Sequence, residues 1–344
     1  MSKSSKKNHT NTQEEHSELL LQAGRPNVYR TNAFRISGLA VDASPREIKQ
    51  QMQKIEMQRK FGVGQTNVTE HVLAIEPPPE LDTIRDAIQK LNDPETRLIH
   101  EFFWFWPHKL GDGKADPALQ ALSKNDVDAA SQLWIRQENM ESVANVSMHN
   151  LAVLSHVSAL DLELALNSHK STAEQQKQLK KHWQQAFQRW TLLIEHEAFW
   201  SRLNDRIRDL DDPRLTTGTG RRIRSTLPLA LLLMPAELAI VAAEQGRIAD
   251  SKRLIKIVHD SGFDAAVIDE ALRMAVDPVR QRIKMLCKNA DDQAKADPLV
   301  AHEVAIRCHQ QTRPLLASLA EVLNADNSTL QAARDEVALQ LLTC

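Results

Sequence analysis

The chain contains 344 residues, of which 42% are hydrophobic, 10 are glycine and one is tyrosine. Leucine, alanine and long charged or amide side chains fill its extended segments, and because these residues favour helices, the composition predicts an all-α fold. A formal net charge of -2 excludes an overall basic field that would gather nucleic acid or anionic lipid. We therefore expect protein partners and no nucleic acid.

The amino-terminal segment and the cysteines bear on location. Residues 1–25 are polar and lack the apolar segment of a secretion signal, so we expect a disordered tail. The three cysteines, Cys287, Cys308 and Cys344, show neither short paired spacing nor an even number. Free thiols in a reducing compartment fit this usage better than a disulfide framework, which predicts a cytoplasmic protein.

Residues 26–110 predict a small helical domain. Its long helix has Ser44 as the expected N-cap, Pro45 at the first helical position and Glu47 completing a capping box. A loop is expected at 62–76, because the helical period of apolar residues stops there.

Two further breaks follow along the chain. A helix is expected to stop at Asp93-Pro94 and another to start, because proline lacks a backbone donor and restricts the residue before it. Beyond Pro107 the sequence HKLGDGKADP is typical of a linker. We therefore place a domain boundary near residue 110.

Residues 111–344 predict helical hairpins that stack as an irregular α-solenoid. Two of them, ALSKNDVDAASQLW at 121–134 and AAEQGRIADSKRLI at 242–255, share a turn residue, Asn125 or Gly246, with a β-branched residue two positions later. This pairing resembles a degenerate tetratricopeptide-type helix-turn-helix, although no regular period of about 34 residues is present.

Two segments of this region are strongly apolar or aromatic. Trp183, Phe187, Trp190 and Ile194 fall on one stripe of a predicted helix, as core residues do. The run LPLALLLMPAELAIVAA at 227–243 contains two prolines and one glutamate and is shorter than the roughly 20 residues that cross a bilayer. We interpret it as a buried helix pair, not a membrane span.

The sequences FRISGLAVDASPREIKQQMQKI and IRDAIQKLNDPETR together resemble the J domain of DnaJ-type co-chaperones. The likeness covers about residues 29–105: a short first helix ending in Gly-Leu, Asp-Ala-Ser before a long basic helix, and an Asp-Pro-Glu-x-Arg block. That block is formed here by Asp93, Pro94, Glu95 and Arg97. The resemblance implies a J-like helical hairpin unit and a DnaK-type chaperone as partner.

One departure bears on function. The resemblance implies His-Pro-Asp in the loop after the long helix, which lets J domains stimulate ATP hydrolysis by the chaperone. Here that loop reads FGVGQTNVTEHVLAIEPPP, in which His71 is followed by valine and leucine. We therefore expect little or no stimulation of the chaperone's ATPase.

The basic face of the long helix remains as a candidate docking surface for an acidic partner. The alternative is a solvated helix face whose charge is balanced by Glu47 and Glu56. The candidate docking residues are Arg46, Lys49, Lys54, Arg59 and Lys60.

The aromatic run FFWFW at 102–106 follows a helix directly. Consecutive side chains cannot all lie on one helix face. We expect Phe102 and Phe105 to pack inside the J-like unit, and Trp104 or Trp106 to join it to the helical region as a domain-interface anchor. An exposed binding patch is the alternative, disfavoured because it would promote aggregation.

No familiar catalytic or metal motif occurs, so we predict no enzyme activity, no metal and no cofactor. The glycine-rich basic segment at 211–225 could bind an anion or acidic peptide through Arg221, Arg222 and Arg224, or be a mobile surface loop. His149 and Asn150 lie on an apolar helix and are expected to be satisfied core groups and not groove-lining residues.

These features predict a non-enzymatic, co-chaperone-like adaptor. It would dock a DnaK-type chaperone, or an assembly descended from one, through its J-like domain and bind a protein through its helical region. Alternatively, the chain is a scaffold subunit of a multiprotein complex, in which the J-like fold is a purely structural interaction module. An enzyme acting on phosphate-containing ligands through the 216–224 segment is a third, less favoured reading.

Overall fold

The computed structural model describes residues 20–61, 73–141, 143–166 and 172–343, and every regular element in them is a helix. The predicted all-α fold class is confirmed. Short 3-10 turns lie at Gly113–Ala115 and Pro298–Val300. The α-helices are α1 Ala33–Ser37, α2 Pro45–Phe61, α3 Leu81–Lys90, α4 Pro94–Phe102, α5 Pro117–Ser123, α6 Val127–Gln137, α7 Ala144–Leu166, α8 Ala173–Glu195, α9 Glu197–Asp209, α10 Thr217–Glu244, α11 Ile248–His259, α12 Ala265–Ala296, α13 Ala301–Val322 and α14 Ser328–Thr343.

The chain forms two compact units, and the division between them lies between Leu227 and Pro228. Residues 24–26 belong to the second unit and Asn27–Leu227 to the first. The boundary expected near residue 110 therefore lies inside the first unit. The physical reason is that the aromatic residues before it are buried among later helices of the same unit, as described below.

The first unit begins with helix ends that follow the expected capping chemistry. Asn32 accepts hydrogen bonds from the N–H groups of Phe34 and Arg35 at the start of α1, and Gly38 ends that helix with a φ of 70°. Before α2, the backbone N–H of Ser44 donates to Oε2 of Glu47 at 2.9 Å, and the Glu47 N–H donates to the Ser44 hydroxyl. The predicted capping box is confirmed.

The break at Asp93-Pro94 is also confirmed. Helix α3 ends at Lys90 and α4 begins at Pro94, with Asp93 as its N-cap. One oxygen of the Asp93 carboxylate accepts from the backbone N–H and hydroxyl of Thr96, at 3.0 and 2.6 Å. The other oxygen accepts from Arg214, which also contacts Glu95. The block that begins α4 thus ties this helix to the turn after α9.

Nine of the remaining helices pack against near neighbours in the sequence. In the first unit α5 contacts α6, while α6, α8 and α9 each contact α7. In the second unit α12 contacts α11, α13 and α14. The stripe predicted from Trp183, Phe187 and Trp190 is buried on α8, whereas Ile194 is partly exposed.

The two hairpins that resemble each other in sequence also turn in the same way. Asn125 between α5 and α6 and Gly246 between α10 and α11 have positive φ angles of 60° and 73°. In each turn the next residue donates its N–H to the carbonyl five positions back, at 2.9 and 2.8 Å. This closure satisfies carbonyls at the end of the first helix, so the shared turn signal reflects shared geometry.

The apolar run at 227–243 is one continuous stretch of α10, not the predicted helix pair. Pro228 and Pro235 lie inside the 28-residue helix, which tolerates the two missing N–H donors without breaking. Among the described residues, the part from Gly218 to Glu244 is the one helix long and apolar enough to cross a membrane, with a mean hydropathy of 1.9 over its most apolar window. Within the protein, 72% of that window is buried.

The expected tail at 1–25 lies largely outside the described residues. Residues 20–23 are helical, and Leu20 is fully buried. Six positions assigned to the tail, 20–25, are therefore part of the described structure, and Leu20 supplies a core side chain.

Candidate protein-docking surface

The aromatic block at 102–106 is core. All five side chains are at most 4% exposed. The ring of Phe102 stacks on Trp190 of α8 and Trp200 of α9, with ring centroids 5.7 and 6.2 Å apart. Phe105 stacks on Trp134 of α6 at 5.5 Å. The run therefore fills the space among α6, α8 and α9, which excludes an exposed binding patch.

Polar side chains of α7 hold the backbone of this block. Asn150 accepts from the N–H of Trp106 and donates to its carbonyl, both at 2.8 Å. His149 donates from Nε2 to the carbonyl of Phe102 at 2.8 Å. Burial lowers the pKa of His149 to about 4, so its imidazole is neutral near pH 7. Both residues are fully buried core groups. Asn150 is satisfied, whereas only Nε2 of His149 is, because its Nδ1 has no hydrogen-bond partner among the described residues.

A buried carboxylate adds a second anchor. Glu101, 1% exposed, accepts from Nε of Arg97 at 2.7 Å. It also accepts from Nε and Nη2 of Arg206 on α9, at 2.8 and 2.7 Å. Arg97 further donates to the carbonyls of Val41 and Ala43, each at 3.1 Å. Glu101 thus joins α4 to α9, and Arg97 joins α4 to the segment before α2.

Trp104 and Trp106 are buried, as an anchoring role requires, but the surface they occupy is inside the first unit. Trp106 donates from Nε1 to the carbonyl of Glu101 at 2.6 Å. The sequence predicts that they join a domain at 26–110 to a separate solenoid. Because the division between the units falls at Leu227, both tryptophans lie within the first unit instead. The ring of Trp106 contacts His149 of α7 and Phe199 of α9, with centroids 5.6 and 6.1 Å apart, so it joins the end of α4 to these helices within one core.

Sequence reasoning missed a further anchor. Arg35, whose side chain is 2% exposed, donates from Nη1 and Nη2 to the carboxylate of Asp161 on α7, at 3.1 and 2.5 Å. Its Nε donates to the carbonyl of Leu73 at 2.8 Å. The two charged partners are 126 positions apart, and nothing in either local sequence indicates the pairing.

The basic residues of α2 differ from these buried side chains in their exposure to solvent. All five candidate docking residues are exposed. Arg59 lies 3.7 Å from Asp82. Within the described ranges, Arg46, Lys49, Lys54 and Lys60 form no ion pair. Glu47, one of the two acids that would balance the face, is engaged by Lys114 at 2.7 Å, which lowers its pKa to about 2.

The helical repeat groups these cations. At roughly 100° per residue, Arg46, Lys49 and Lys60 fall within about 60° of one another, and Lys54 lies about 80° to the other side of Arg46. Arg59 falls on the far side, where it meets Asp82. We call Arg46, Lys49, Lys54 and Lys60 the α2 basic face. It is an exposed stripe of cations that form no ion pair within the described ranges, and the exposed carboxylate of Glu56 lies beside Lys49 and Lys60 on the same helix.

The segment at 211–225 is not the loop that glycine and arginine content suggested. Helix α10 begins at Thr217, so both glycines and the three candidate arginines, Arg221, Arg222 and Arg224, are helical, whereas residues 211–216 precede the helix. Arg222 donates to the hydroxyl of Thr219 at 2.9 Å. Arg224 donates to the carbonyl of Ile194 at 2.7 Å and covers the Trp200 ring. Arg221 is exposed. The anion or peptide site at Arg221, Arg222 and Arg224 stays a prediction.

Gly220 has a packing role that allows a test. A Cβ at this position would lie 2.3 Å from Oδ1 of Asn204 on α9, whereas one at Gly218 would meet the movable Nη1 of Arg222. Alanine favours a helix over glycine by about 1 kcal/mol, but overpacking costs about 1–3 kcal/mol. We expect Gly220→Ala to lower the thermal midpoint and Gly218→Ala to leave it equal or higher. Equal midpoints would show that α9 and α10 separate at no cost.

The described residues contain no group of three or more histidine, cysteine, aspartate or glutamate side chains that could hold a metal ion. His156, like His149, is fully buried, and burial lowers its pKa to about 3. His71 and Cys344 lie outside the described residues.

No protein-family model, curated protein or solved structure matches the chain.

Proposed function

We propose that this chain is a non-enzymatic adaptor that docks a DnaK-type chaperone, or an assembly descended from one, through the α2 basic face. The helices beyond α4 would hold a second protein. This proposal rests on the resemblance of residues 29–105 to a J domain together with the state of the charges in that unit.

The observation that carries the proposal is a contrast among the cations. Arg35, Arg97, Arg206 and Arg214 are all engaged with carboxylates that hold the unit together. The α2 basic face is exposed and has no ion-pair partner in the described ranges. Such a stripe accelerates encounter with an acidic surface and favours correct orientation. It is therefore the surface through which an acidic partner would bind.

The missing His-Pro-Asp separates docking from stimulation. We expect the chain to bind a chaperone without accelerating its ATP hydrolysis. An adaptor of this kind would position the chaperone instead of driving its cycle.

Binding of a purified DnaK-type chaperone to the full chain, measured by calorimetry at low and physiological salt, tests the proposal. The variant Arg46→Glu/Lys54→Glu should weaken binding by about tenfold or more at low salt. The difference in affinity between variant and native chain should be smaller at higher salt, because ions screen the electrostatic interactions of both with the chaperone. The control Lys180→Glu/Lys181→Glu makes the same charge change at exposed positions of α8 and should bind as the native chain does.

Equal loss of affinity in both double variants would assign the effect to net charge and contradict docking at α2. No binding by the native chain would instead support the scaffold alternative. That alternative is favoured by the extent to which the J-like helices are committed internally, through the aromatic block and Glu101. Strong stimulation of single-turnover ATP hydrolysis would overturn the expectation drawn from the missing tripeptide.

A further inference from the structure

A groove with a volume of about 750 Å³ lies in the first unit, between the start of α2, the junction of α3 with α4 and the end of α9. This volume is within the range of about 300–1,000 Å³ that ligand sites occupy. The groove uses none of the buried aromatic residues, and its α2 residues lie on the side of the helix next to the α2 basic face. Lys49 belongs to both.

The floor of the groove is apolar. Helix α2 contributes side chains one turn apart, and α3, the segment after α4 and the end of α9 complete the surface. Several of these side chains are only partly buried, so they remain available to a ligand. The apolar floor consists of Ile48, Met52, Ile88, Leu91, Leu110 and Leu210.

Two arginines form the polar wall. Arg97 and Arg206 share the single carboxylate of Glu101, so this trio carries a net charge of +1, and the carboxylates of Asp42 and Asp209 also attract Arg206. Their Nε and Nη2 groups are used in that contact or in bonds to backbone carbonyls, whereas the Nη1 group of each has no hydrogen-bond partner among the described residues. Each side chain is 12% exposed and lines the groove. Lys49 adds an exposed ammonium group at the edge.

Two aspartates, Asp42 and Asp209, line the groove and oppose its positive charge. Both oxygens that Asp42 could offer lie against the turn at 111–113, and its Oδ2 accepts from the N–H groups of Gly111 and Gly113, at 3.0 and 2.9 Å. Asp209 is exposed at the rim and opposes an anionic ligand locally. The remaining unpaired donors at the wall are cationic.

We propose that this groove binds an acidic, leucine-rich or otherwise apolar segment of a protein partner. An open channel between helices with an apolar floor suits an amphipathic helix, whose apolar face would lie on the floor. The carboxylates beside that face would meet Lys49 and the Nη1 groups of the two arginines. A hydrogen bond from a guanidinium N–H to a carboxylate is charge-assisted and stronger than one between neutral groups. The site shares Lys49 with the α2 basic face, but its floor and its two arginines are not part of that face, so substitutions can distinguish the two proposals.

Two labelled peptides about twelve residues long, one of leucine and glutamate at amphipathic helical spacing and one with lysine replacing glutamate, serve as probes. Fluorescence anisotropy with the full chain measures their affinity. The acidic peptide should bind at least about tenfold more tightly than the basic one. Equal affinities, or preference for the basic peptide, would overturn the proposal.

Removing a positive charge and removing a negative charge at the groove should change the affinity for the acidic peptide in opposite directions. Lys49→Gln should weaken binding of the acidic peptide by about threefold to tenfold, and Asp209→Asn should strengthen it by about threefold, because rim charges have modest effects. Both positions are exposed, so neither change threatens the fold. Effects of the same sign would contradict recognition in the groove.

Two methionine substitutions on α2, one in the floor of the groove and one outside it, test where the peptide binds. Met52→Glu places a carboxylate in the floor and should weaken acidic-peptide binding by about tenfold or more. Met57→Glu makes the same change on α2 at a side chain that is 59% exposed and lines no part of the groove, and should bind normally. Equal loss in both would overturn the assignment. Self-association of the native chain that Met52→Glu abolishes would reassign the groove to a second copy.

The outcomes for this groove and for the chaperone are distinguishable. Arg46→Glu/Lys54→Glu changes neither the floor nor the wall, so it should reduce chaperone binding while acidic-peptide binding falls by less than about threefold. Met52→Glu should have the reverse pattern. Loss of both activities in both variants would show that one surface had been divided in two.

Discussion

Replacing Glu101 by glutamine is expected to lower the free energy of unfolding by about 3–5 kcal/mol, the usual cost of removing one partner from a buried ion pair. Two guanidinium groups, each 12% exposed, would lose their shared carboxylate and face each other. The amide of glutamine can accept from one of them but cannot compensate either charge. Urea denaturation of the full chain, followed through tryptophan fluorescence, measures the change.

A matched control distinguishes the effect of losing a buried ion pair from the effect of losing an exposed one. Glu197 forms an ion pair with Arg224 at 2.7 Å, but its side chain is 78% exposed. Glu197→Gln should therefore change the free energy of unfolding by about 1 kcal/mol or less, since water and salt screen exposed pairs. If the two variants lost equal stability, the argument that Glu101 joins α4 to α9 would be wrong.

Features determined by neighbouring residues could be predicted from the sequence. The capping box at Ser44 and the helix start at Asp93-Pro94 depend on side chains reaching N–H groups three positions away. The matched turns at Asn125 and Gly246 depend on one residue tolerating a positive φ. Such signals are complete within a short window, and the helical class follows from many of them together.

Features determined by residues that are distant in sequence could not be predicted in this way. The boundary near residue 110 was expected from linker-like composition, but Asn150 on α7 binds the backbone of Trp106, and the two are 44 positions apart. Gly220 suggested a flexible anion loop, although its actual role is to let α10 approach Asn204. Glycine and linker composition report local freedom, and they do not reveal which element packs against that place.

The candidate site shows the same limit. Exposure of the α2 basic face follows from a helical period, so its residues could be named from the sequence. The groove could not, because its wall combines Arg97 with Arg206 and its floor combines helices that are far apart in sequence. Only the folded chain shows that both arginines share Glu101 and retain unpaired donors.

Truncation of the aromatic block tests the role it plays in joining the first helices to α6–α9. Trp106→Ala and Trp104→Ala should each lower the free energy of unfolding by about 3–5 kcal/mol, as large-to-small changes at packed sites do. Trp106 should lie at the upper end, because its loss also leaves the carbonyl of Glu101 without the indole donor at 2.6 Å. Urea midpoints give the measurement.

The control for this prediction is an apolar side chain on the surface of the same unit. Ile135 is 43% exposed, and Ile135→Ala should change stability by about 1 kcal/mol or less. A partner-binding patch would behave differently from a core anchor: both tryptophan variants would keep their midpoints and lose partner capture instead. Because all five rings of the block are at most 4% exposed and stack on α6, α8 and α9, we expect stability to fall first. Any loss of partner binding should then scale with the unfolded fraction and disappear when the variants are assayed at lower temperature, where they are folded.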